Sequence, residues 1–118
     1  MEKRYKSSKW EKFYTNTRPH QKEFGKNVAD GLHELLDLID AATSAYDIKV
    51  MPYYWMHELH FDREGEYSLS VDNKKTKWRM IVKCLDDNFE WKKPGENEAS
   101  FLKSIKTFEL GEFTDHYD

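Results

Sequence analysis

The fold of this chain is decided by residues 66–83, which read EYSLSVDNKKTKWRMIVK. Both halves of this stretch place apolar side chains at every second position, which is the pattern of a strand with one buried face. These apolar positions are Tyr67, Leu69 and Val71, followed by Trp78, Met80 and Val82. The polar residues 72–76 separate the two halves. The stretch therefore predicts an antiparallel hairpin.

Apolar residues upstream of the hairpin follow a helical spacing instead. They occupy positions i, i+4, i+7, i+8 and i+11, which form one stripe along a helix. They are Val28, Leu32, Leu35, Leu36 and Ile39. We expect a helix from about residue 20 to about residue 44, weakened in its first half by Gly25 and Gly31. Its apolar stripe should lie on the sheet.

A shorter helix is predicted before the long one. Ser8 and Glu11 have the spacing of a capping box, in which each side chain accepts a hydrogen bond from the other residue's backbone N–H. Trp10 and Phe13 then lie on one face of this helix. Residues 16–19 predict a break before the long helix begins.

The remaining segments complete an α+β pattern. Residues 1–7 predict a loose arm or a short edge strand, and a third strand is expected near 107–113. A long connection, 86–106, precedes that strand and ends in a helical turn at 99–106. The order favours two or three N-terminal helices packed on a small antiparallel β-sheet. At 118 residues, the chain fits a single domain spanning 1–118.

Composition narrows the class of protein further. Hydrophobic residues make up 38% of the chain and aromatic residues 15%, which suffices for one compact core. No apolar run is long enough to cross a bilayer, and the N-terminus leads into no signal-peptide core. Cys84 is the only cysteine, and its place in a predicted strand indicates a small buried hydrophobe. We therefore expect a soluble cytoplasmic protein without membrane association.

Charge is nearly balanced overall but uneven along the chain. Nineteen basic residues face 22 acidic ones, for a formal net charge of −3. Residues 73–83 nevertheless contain five basic residues and no acidic one. These are Lys74, Lys75, Lys77, Arg79 and Lys83. A contact with nucleic acid would have to come from this local patch.

The common enzyme motifs are absent from the sequence. His57 and His60 are three residues apart, but no third spaced ligand accompanies them, so no metal is expected. Neither a glycine-rich phosphate loop nor a serine nucleophile elbow occurs, so no cofactor is expected. The aromatic run at 53–55 could stack on bases, but burial under the helices is the preferred interpretation.

Four segments, taken together and in order, resemble the HigB branch of the RelE-type toxins. They are LLDLIDAAT at 35–43, MHELHFDREGEYSLSV at 56–71, WRM at 78–80 and TDHYD at 114–118. The resemblance implies a RelE-like fold and a ribosome-dependent endoribonuclease that cuts messenger RNA. It also implies that a cognate antitoxin, a small helix-turn-helix protein, holds the toxin inactive.

The resemblance also assigns roles to residues. Metal-free RNA cleavage needs a base for the ribose 2′-OH, positive charge on the phosphate, and an acid for the leaving oxygen. His57 matches the base and Arg79 the phosphate clamp. His116 or Tyr117 would be the acid, and Asp115 would orient one of them. The expected RNA-binding residues are His60, Arg63, Lys74, Lys75, Lys77 and Lys83.

Three departures from the family pattern keep other functions open. The terminal pair His116–Tyr117 is reversed relative to the family's Tyr-His, the connection 86–106 is longer, and the chain is acidic. A non-catalytic binding protein on the same fold is therefore an alternative, for example one that acts on DNA gyrase. A regulatory or phage-encoded interaction protein that uses residues 86–106 is another. Each candidate residue taken singly is also compatible with an ordinary surface position or a polar tail.

Overall fold

The chain alternates helices and strands around one five-stranded sheet. The computed structural model describes residues 1–116, which contain five α-helices and five β-strands. The strands are β1 (Glu2–Tyr5), β2 (His57–Glu58), β3 (Glu66–Ser70), β4 (Arg79–Leu85) and β5 (Thr107–Thr114). The helices are α1 (Ser8–Thr15), α2 (His20–Phe24), α3 (Lys26–Ala41), α4 (Ala45–Lys49) and α5 (Glu98–Ser104). Across the sheet, the strand order is β1-β5-β4-β3-β2.

The α+β class, the hairpin and the third strand are confirmed, but the sheet is mixed rather than antiparallel. Strands β2 to β5 pair antiparallel with their neighbours, whereas β1 pairs parallel with β5. The prediction of an antiparallel sheet was wrong at this edge. The short strand β1 carries no signal of its direction, and most of the chain lies between it and its partner strand. Such a long connection is what a parallel pair requires.

The long predicted helix is divided in two. Gly25 has a φ of 88°, a left-handed conformation that a helix interior cannot accommodate, and it separates α2 from α3. Helix α3 ends at Ala41, three residues earlier than predicted. At the start of α1 the cap is Ser7 rather than Ser8, and its side chain accepts a hydrogen bond from the Trp10 backbone N–H. The capping-box prediction was therefore wrong, because the residue three positions after Ser7 is Trp10, which has no carboxylate to return the bond.

The core lies between the helices and one face of the sheet. The buried residues of α3 meet apolar side chains of the three central strands in a single cluster. From α3 these are Leu32, Leu35, Leu36 and Ile39, and from β3 and β4 they are Tyr67, Leu69, Met80 and Val82. Leu102 and Ile105 close the core from the predicted helical turn near residue 100, which is confirmed as α5. No helix in residues 1–116 is long and apolar enough to span a membrane.

The opposite face of the sheet, here called the outer face, carries the polar residues of the hairpin. In the β3–β4 register, Ser70 lies opposite Arg79, Ser68 opposite Ile81 and Glu66 opposite Lys83. Because successive side chains of a strand point to opposite faces, these residues point away from the helical core. The outer face is therefore where the hairpin presents its charged side chains.

Gly31 brings α3 close to the turn that joins β3 to β4. A Cβ atom at this position would lie 2.9 Å from the Asp72 backbone nitrogen and 3.3 Å from the Val71 Cβ. We predict that Gly31→Ala lowers the free energy of unfolding by about 1–3 kcal/mol through overpacking, which outweighs a gain of about 1 kcal/mol in helix propensity. Urea unfolding would measure the change.

Gly95→Ala is the matched control, since a Cβ at Gly95 meets nothing within 4 Å. Its unfolding midpoint should stay close to that of the wild type. A Gly31→Ala protein more stable than the wild type would contradict the close approach of α3 to this turn.

Candidate functional site

Trp55 is the centre of a polar and aromatic cluster on the outer face. It follows the short 3₁₀ turn Pro52–Tyr54 and has a φ of 43°, which is uncommon for a bulky residue. Its side chain is 41% exposed, and that of Tyr53 is 38% exposed. The expected burial of the aromatic run was therefore wrong for these two residues. The turn ends at the edge of the sheet rather than beneath the helices.

His57 stacks on Trp55. The two ring centroids are 4.2 Å apart with an interplanar angle of 30°, and His57 Nδ1 lies 2.9 Å from the Trp55 carbonyl oxygen. A carbonyl oxygen can only accept, so Nδ1 carries the hydrogen when the ring is neutral. The lone pair is then on Nε2, and this is the atom that could accept a proton.

Arg79 approaches the same ring from the hairpin. Its guanidinium carbon lies 5.6 Å from the Trp55 centroid. Arg79 Nη1 donates to the carbonyl oxygens of Thr76 at 2.5 Å and Trp78 at 2.8 Å. These two bonds commit both Nη1 hydrogens. Arg79 is only 6% exposed, so its side chain is buried and fixed in position by these hydrogen bonds rather than extended into solvent.

Lysines extend the cluster into the β3–β4 turn. Lys74 Nζ lies 5.4 Å from the Trp55 ring centroid, a cation–π distance. Lys74 has a φ of 65°, and Asp72 and Asn73 before it are also left-handed. Such backbone is costly outside glycine and is often found at functional sites. Lys75 and Lys77 are exposed in the same turn. The four side chains of Trp55, His57, Lys74 and Arg79 are called the Trp55 cluster below.

Strand pairing explains why this cluster forms. His57 lies opposite Ser68, and Arg79 lies opposite Ser70 two residues further along β3. The histidine and arginine therefore share one face across two strand spacings, about 10 Å. Ser70 Oγ donates to the Tyr53 carbonyl oxygen at 3.3 Å, which holds the aromatic turn against β3. Within residues 1–116, the buried Ser68 Oγ has no hydrogen-bond partner.

The C-terminal candidates follow the strand next to Arg79. Thr114, at the end of β5, lies opposite Arg79. Asp115 Oδ1 is 3.3 Å from His116 Nε2, and the His116 backbone N–H donates to Thr114 Oγ1 at 3.0 Å. Asp115 therefore contacts His116, one of the two residues that it was expected to orient, although the His116 side chain is 92% exposed. Tyr117 lies outside the described residues.

Three other predicted RNA-binding residues lie away from the Trp55 cluster. Arg63 pairs with Glu66 and Glu112, at nitrogen–oxygen distances of 3.1 and 2.8 Å. Its charge is thus balanced inside the protein. Lys83 lies at the opposite end of β4 from Arg79, and His60 is exposed in the loop between β2 and β3. The structure brings Lys74, but not these three, to His57 and Arg79.

A surface depression on α1 has no such chemistry. It has a volume of about 660 Å³ and is lined by Ser8, Lys9, Glu11, Lys12 and Thr15. All five residues belong to α1, so the depression is an open helix surface rather than a pocket between elements. None of the sequence-predicted residues lines it. The Trp55 cluster is therefore the better candidate, because titratable and aromatic groups from separate elements meet there.

Comparison of the chain with family models, with curated proteins and with solved structures found no match. The described residues, 1–116, contain no group of three or more histidine, cysteine or acidic side chains that could hold a metal ion. Function has to be judged from the chemistry of the Trp55 cluster itself.

Cys84 lies in the core, as its sequence position predicts. It is fully buried, and burial raises the pKa of its thiol to about 12. Since the thiolate is the reactive form, we predict that native protein labels only slowly with an aromatic disulfide reagent at pH 8. Labelling should become fast in denaturant. Fast labelling of the native protein would contradict this burial.

Proposed function

We propose that this protein is a metal-free endoribonuclease with a RelE-like fold, acting as the toxin of a type II toxin–antitoxin system. The observation that supports this function best is the Trp55 cluster. It combines a histidine of defined tautomer, a held arginine and an exposed indole ring on one face of the sheet. The histidine and the arginine are two of the three groups that RNA cleavage without a metal requires, and the indole offers a surface on which a base can stack.

The proposed reaction transfers one proton at each end of a phosphodiester. His57 Nε2 takes the proton of a ribose 2′-OH, whose oxygen attacks the adjacent phosphorus. Arg79 stabilises the negative charge that builds on the phosphate oxygens. An acid at the C-terminus, His116 or Tyr117, protonates the leaving 5′-oxygen. The products are a 2′,3′-cyclic phosphate and a 5′-hydroxyl.

Asp115 supports His116 as the acid in this scheme. A carboxylate next to an imidazole can orient the ring through a hydrogen bond. The Asp115–His116 contact of 3.3 Å supplies such a pair. The pair directly follows Thr114, the β5 residue opposite Arg79. We therefore assign the acid role to His116 in preference to Tyr117.

Substrate binding would combine stacking with local positive charge. An exposed indole such as that of Trp55 can stack on an unpaired base. Lys74, Lys75 and Lys77 would contact phosphates without reading sequence. This patch would offset the formal net charge of −3. We propose messenger RNA on the ribosome as the substrate, a small helix-turn-helix antitoxin as the inhibitor, and the cytoplasm as the location.

A non-catalytic binding protein is the second candidate. The observation that favours it is the state of Arg79, which is 6% exposed and donates through Nη1 to two backbone carbonyls. These bonds stabilise the β3–β4 turn, a structural role that requires no substrate. The reversed His116–Tyr117 order points in the same direction. On this alternative, the outer face binds its partner without cleaving it.

Single substitutions at the proposed catalytic residues distinguish the two candidate functions. We predict that His57→Ala lowers the rate of RNA cleavage by about 100-fold or more, the usual effect of losing a general base. Arg79→Ala should be comparably impaired, and His116→Ala should lose more activity than Tyr117→Phe. Growth arrest after induced expression and primer extension on cellular messenger RNA would measure these effects.

Circular dichroism of each variant separates loss of chemistry from loss of fold. Arg79→Lys keeps a positive charge but not the planar fork, so it should fold and remain strongly impaired. Equal toxicity of the wild type and all of these variants, without detectable RNA cleavage, would end the nuclease proposal. It would leave the binding protein as the better description.

The lysine turn provides an independent prediction. Changing Lys74, Lys75 and Lys77 to Glu should weaken RNA binding at low salt and flatten its salt dependence, because phosphate contacts release counterions. Fluorescence anisotropy with a labelled oligonucleotide at several salt concentrations would measure this.

The matched control makes the same change of charge elsewhere. Lys9, Lys12 and Lys22 are exposed on α1 and α2, and changing all three to Glu alters the net charge equally. An equal loss of binding in both triple variants would show that net charge, rather than the β3–β4 turn, controls affinity.

A further inference from the structure

A second aromatic group lies at the other end of the outer face. Phe89 and Trp91 belong to the connection between β4 and α5, and they are 41% and 48% exposed. Phe89 has a φ of 62°, a left-handed conformation that is unusual for an aromatic residue. The Arg4 guanidinium lies 3.6 Å from the Phe89 ring centroid, and Lys83 Nζ lies 5.4 Å from that of Trp91.

Hydrogen bonds hold this connection in a defined shape. The Asp86 carboxylate accepts from the backbone N–H groups of Asn88 at 2.8 Å and Glu90 at 3.0 Å. The Lys92 backbone N–H donates to the Cys84 carbonyl oxygen at 3.0 Å. Residues 90–92 therefore lie beside the end of β4. Both aromatic side chains are thus carried by ordered backbone.

The Trp91 ring is also held from the loop between β2 and β3. A Cβ atom at Gly65 would lie 2.4 Å from Trp91 Cζ3, so the ring packs directly on the Gly65 backbone. Lys93 Nζ and Glu64 Oε1 form an ion pair of 2.5 Å beside this contact. Two loops that are far apart in sequence therefore fix one exposed indole ring. Such an arrangement is preorganised to bind a flat partner.

A groove opens between this ring and the sheet. Its volume is about 370 Å³, which lies within the range of about 300–1,000 Å³ typical of small-ligand sites. It is lined by Lys83, Leu85, Phe89, Glu90, Trp91 and Glu109. The lining combines two aromatic rings, one aliphatic side chain, one ammonium group and two carboxylates.

We propose that this groove binds a nucleobase of single-stranded RNA. The aromatic rings offer stacking surfaces, and the carboxylates of Glu90 and Glu109 can accept hydrogen bonds from base amino groups. Two carboxylates disfavour a phosphate in the groove itself, so the phosphates belong outside it, towards Lys83. Adenine, cytosine and guanine carry exocyclic amino groups, whereas uracil does not. The groove should therefore prefer the three amino-bearing bases.

The position of the groove fits the proposed reaction, and the inference rests on that function. Arg79 and Lys83 point to the same face of β4, four residues apart, which corresponds to about 13 Å. A single strand that has its reacting phosphate at Arg79 would pass over the covered middle of β4, where Ile81 is 1% exposed, to reach the groove. The Trp55 cluster and the Phe89–Trp91 groove would then bind different nucleotides of one RNA chain.

The test measures oligonucleotide binding by nuclear magnetic resonance, through the shift of the Trp91 indole N–H signal. This signal is assigned by its absence from the spectrum of Trp91→Phe. We expect short oligoadenylate and oligocytidylate to shift this signal and oligouridylate to shift it less. Trp91→Ala should weaken oligoadenylate binding roughly 5- to 150-fold, the effect of losing one stacking ring. Phe89→Ala should weaken it as well, without altering the contact at Gly65. Glu109→Gln should reduce the preference for oligoadenylate over oligouridylate.

The control is Phe61→Ala, because Phe61 is 95% exposed and is not among the residues that line the groove. Its affinity should equal that of the wild type. Wild-type affinity in both Trp91→Ala and Phe89→Ala would overturn the proposal, as would an equal response of the Trp91 signal to inorganic phosphate.

The same data distinguish this inference from the proposed function. If oligonucleotides bind through Trp91 but the wild type cleaves no RNA, the base-binding groove is supported and the nuclease function is contradicted. If the wild type cleaves RNA and Trp91→Ala binds and cleaves equally well, the nuclease function is supported and the base-binding groove is contradicted.

Discussion

Ser70 lies opposite Arg79 in the β3–β4 pair, and the rest of the structure depends on this register. Strand side chains alternate between faces, so a slip of one residue would turn Arg79 into the core and Met80 towards solvent. Burial of Tyr67 and Leu69 against α3 prevents such a slip, since each large apolar side chain contributes roughly 1.5–3 kcal/mol on leaving water. The apolar face of the hairpin thus determines which polar residues the outer face presents.

Periodicity predicted the elements that are long enough to show it. The hairpin, α3, α5 and β5 follow from the spacing of their apolar residues, whereas β1 and β2 are too short to reveal direction or pairing. At the candidate site, His57 and Arg79 were predicted from the resemblance of their segments to the HigB pattern, not from periodicity. The role of Trp55 could not, because its exposure results from a left-handed backbone that no sequence pattern encodes.

Three exposed aromatic residues, Trp55, Phe61 and Phe89, occupy this left-handed region. Each costs of order 1–3 kcal/mol relative to relaxed backbone, and none recovers that cost through full burial. Glycine or asparagine would be more stable at such positions. Left-handed backbone of this kind is often found at functional sites. Two of the three, Trp55 and Phe89, stand next to cationic side chains.

We propose, as the central step, that His57 activates the RNA's own 2′-hydroxyl while Arg79 stabilises the charge on the phosphate. The most direct measurement compares two identical RNA oligonucleotides, one with a single 2′-deoxy substitution at the cleaved nucleotide, both on ribosomes that contain no other nuclease activity. The account predicts that the deoxy substrate is not cut and that the ribose substrate yields a 2′,3′-cyclic phosphate and a 5′-hydroxyl. Cleavage of both substrates, or products with a 5′-phosphate, would contradict it.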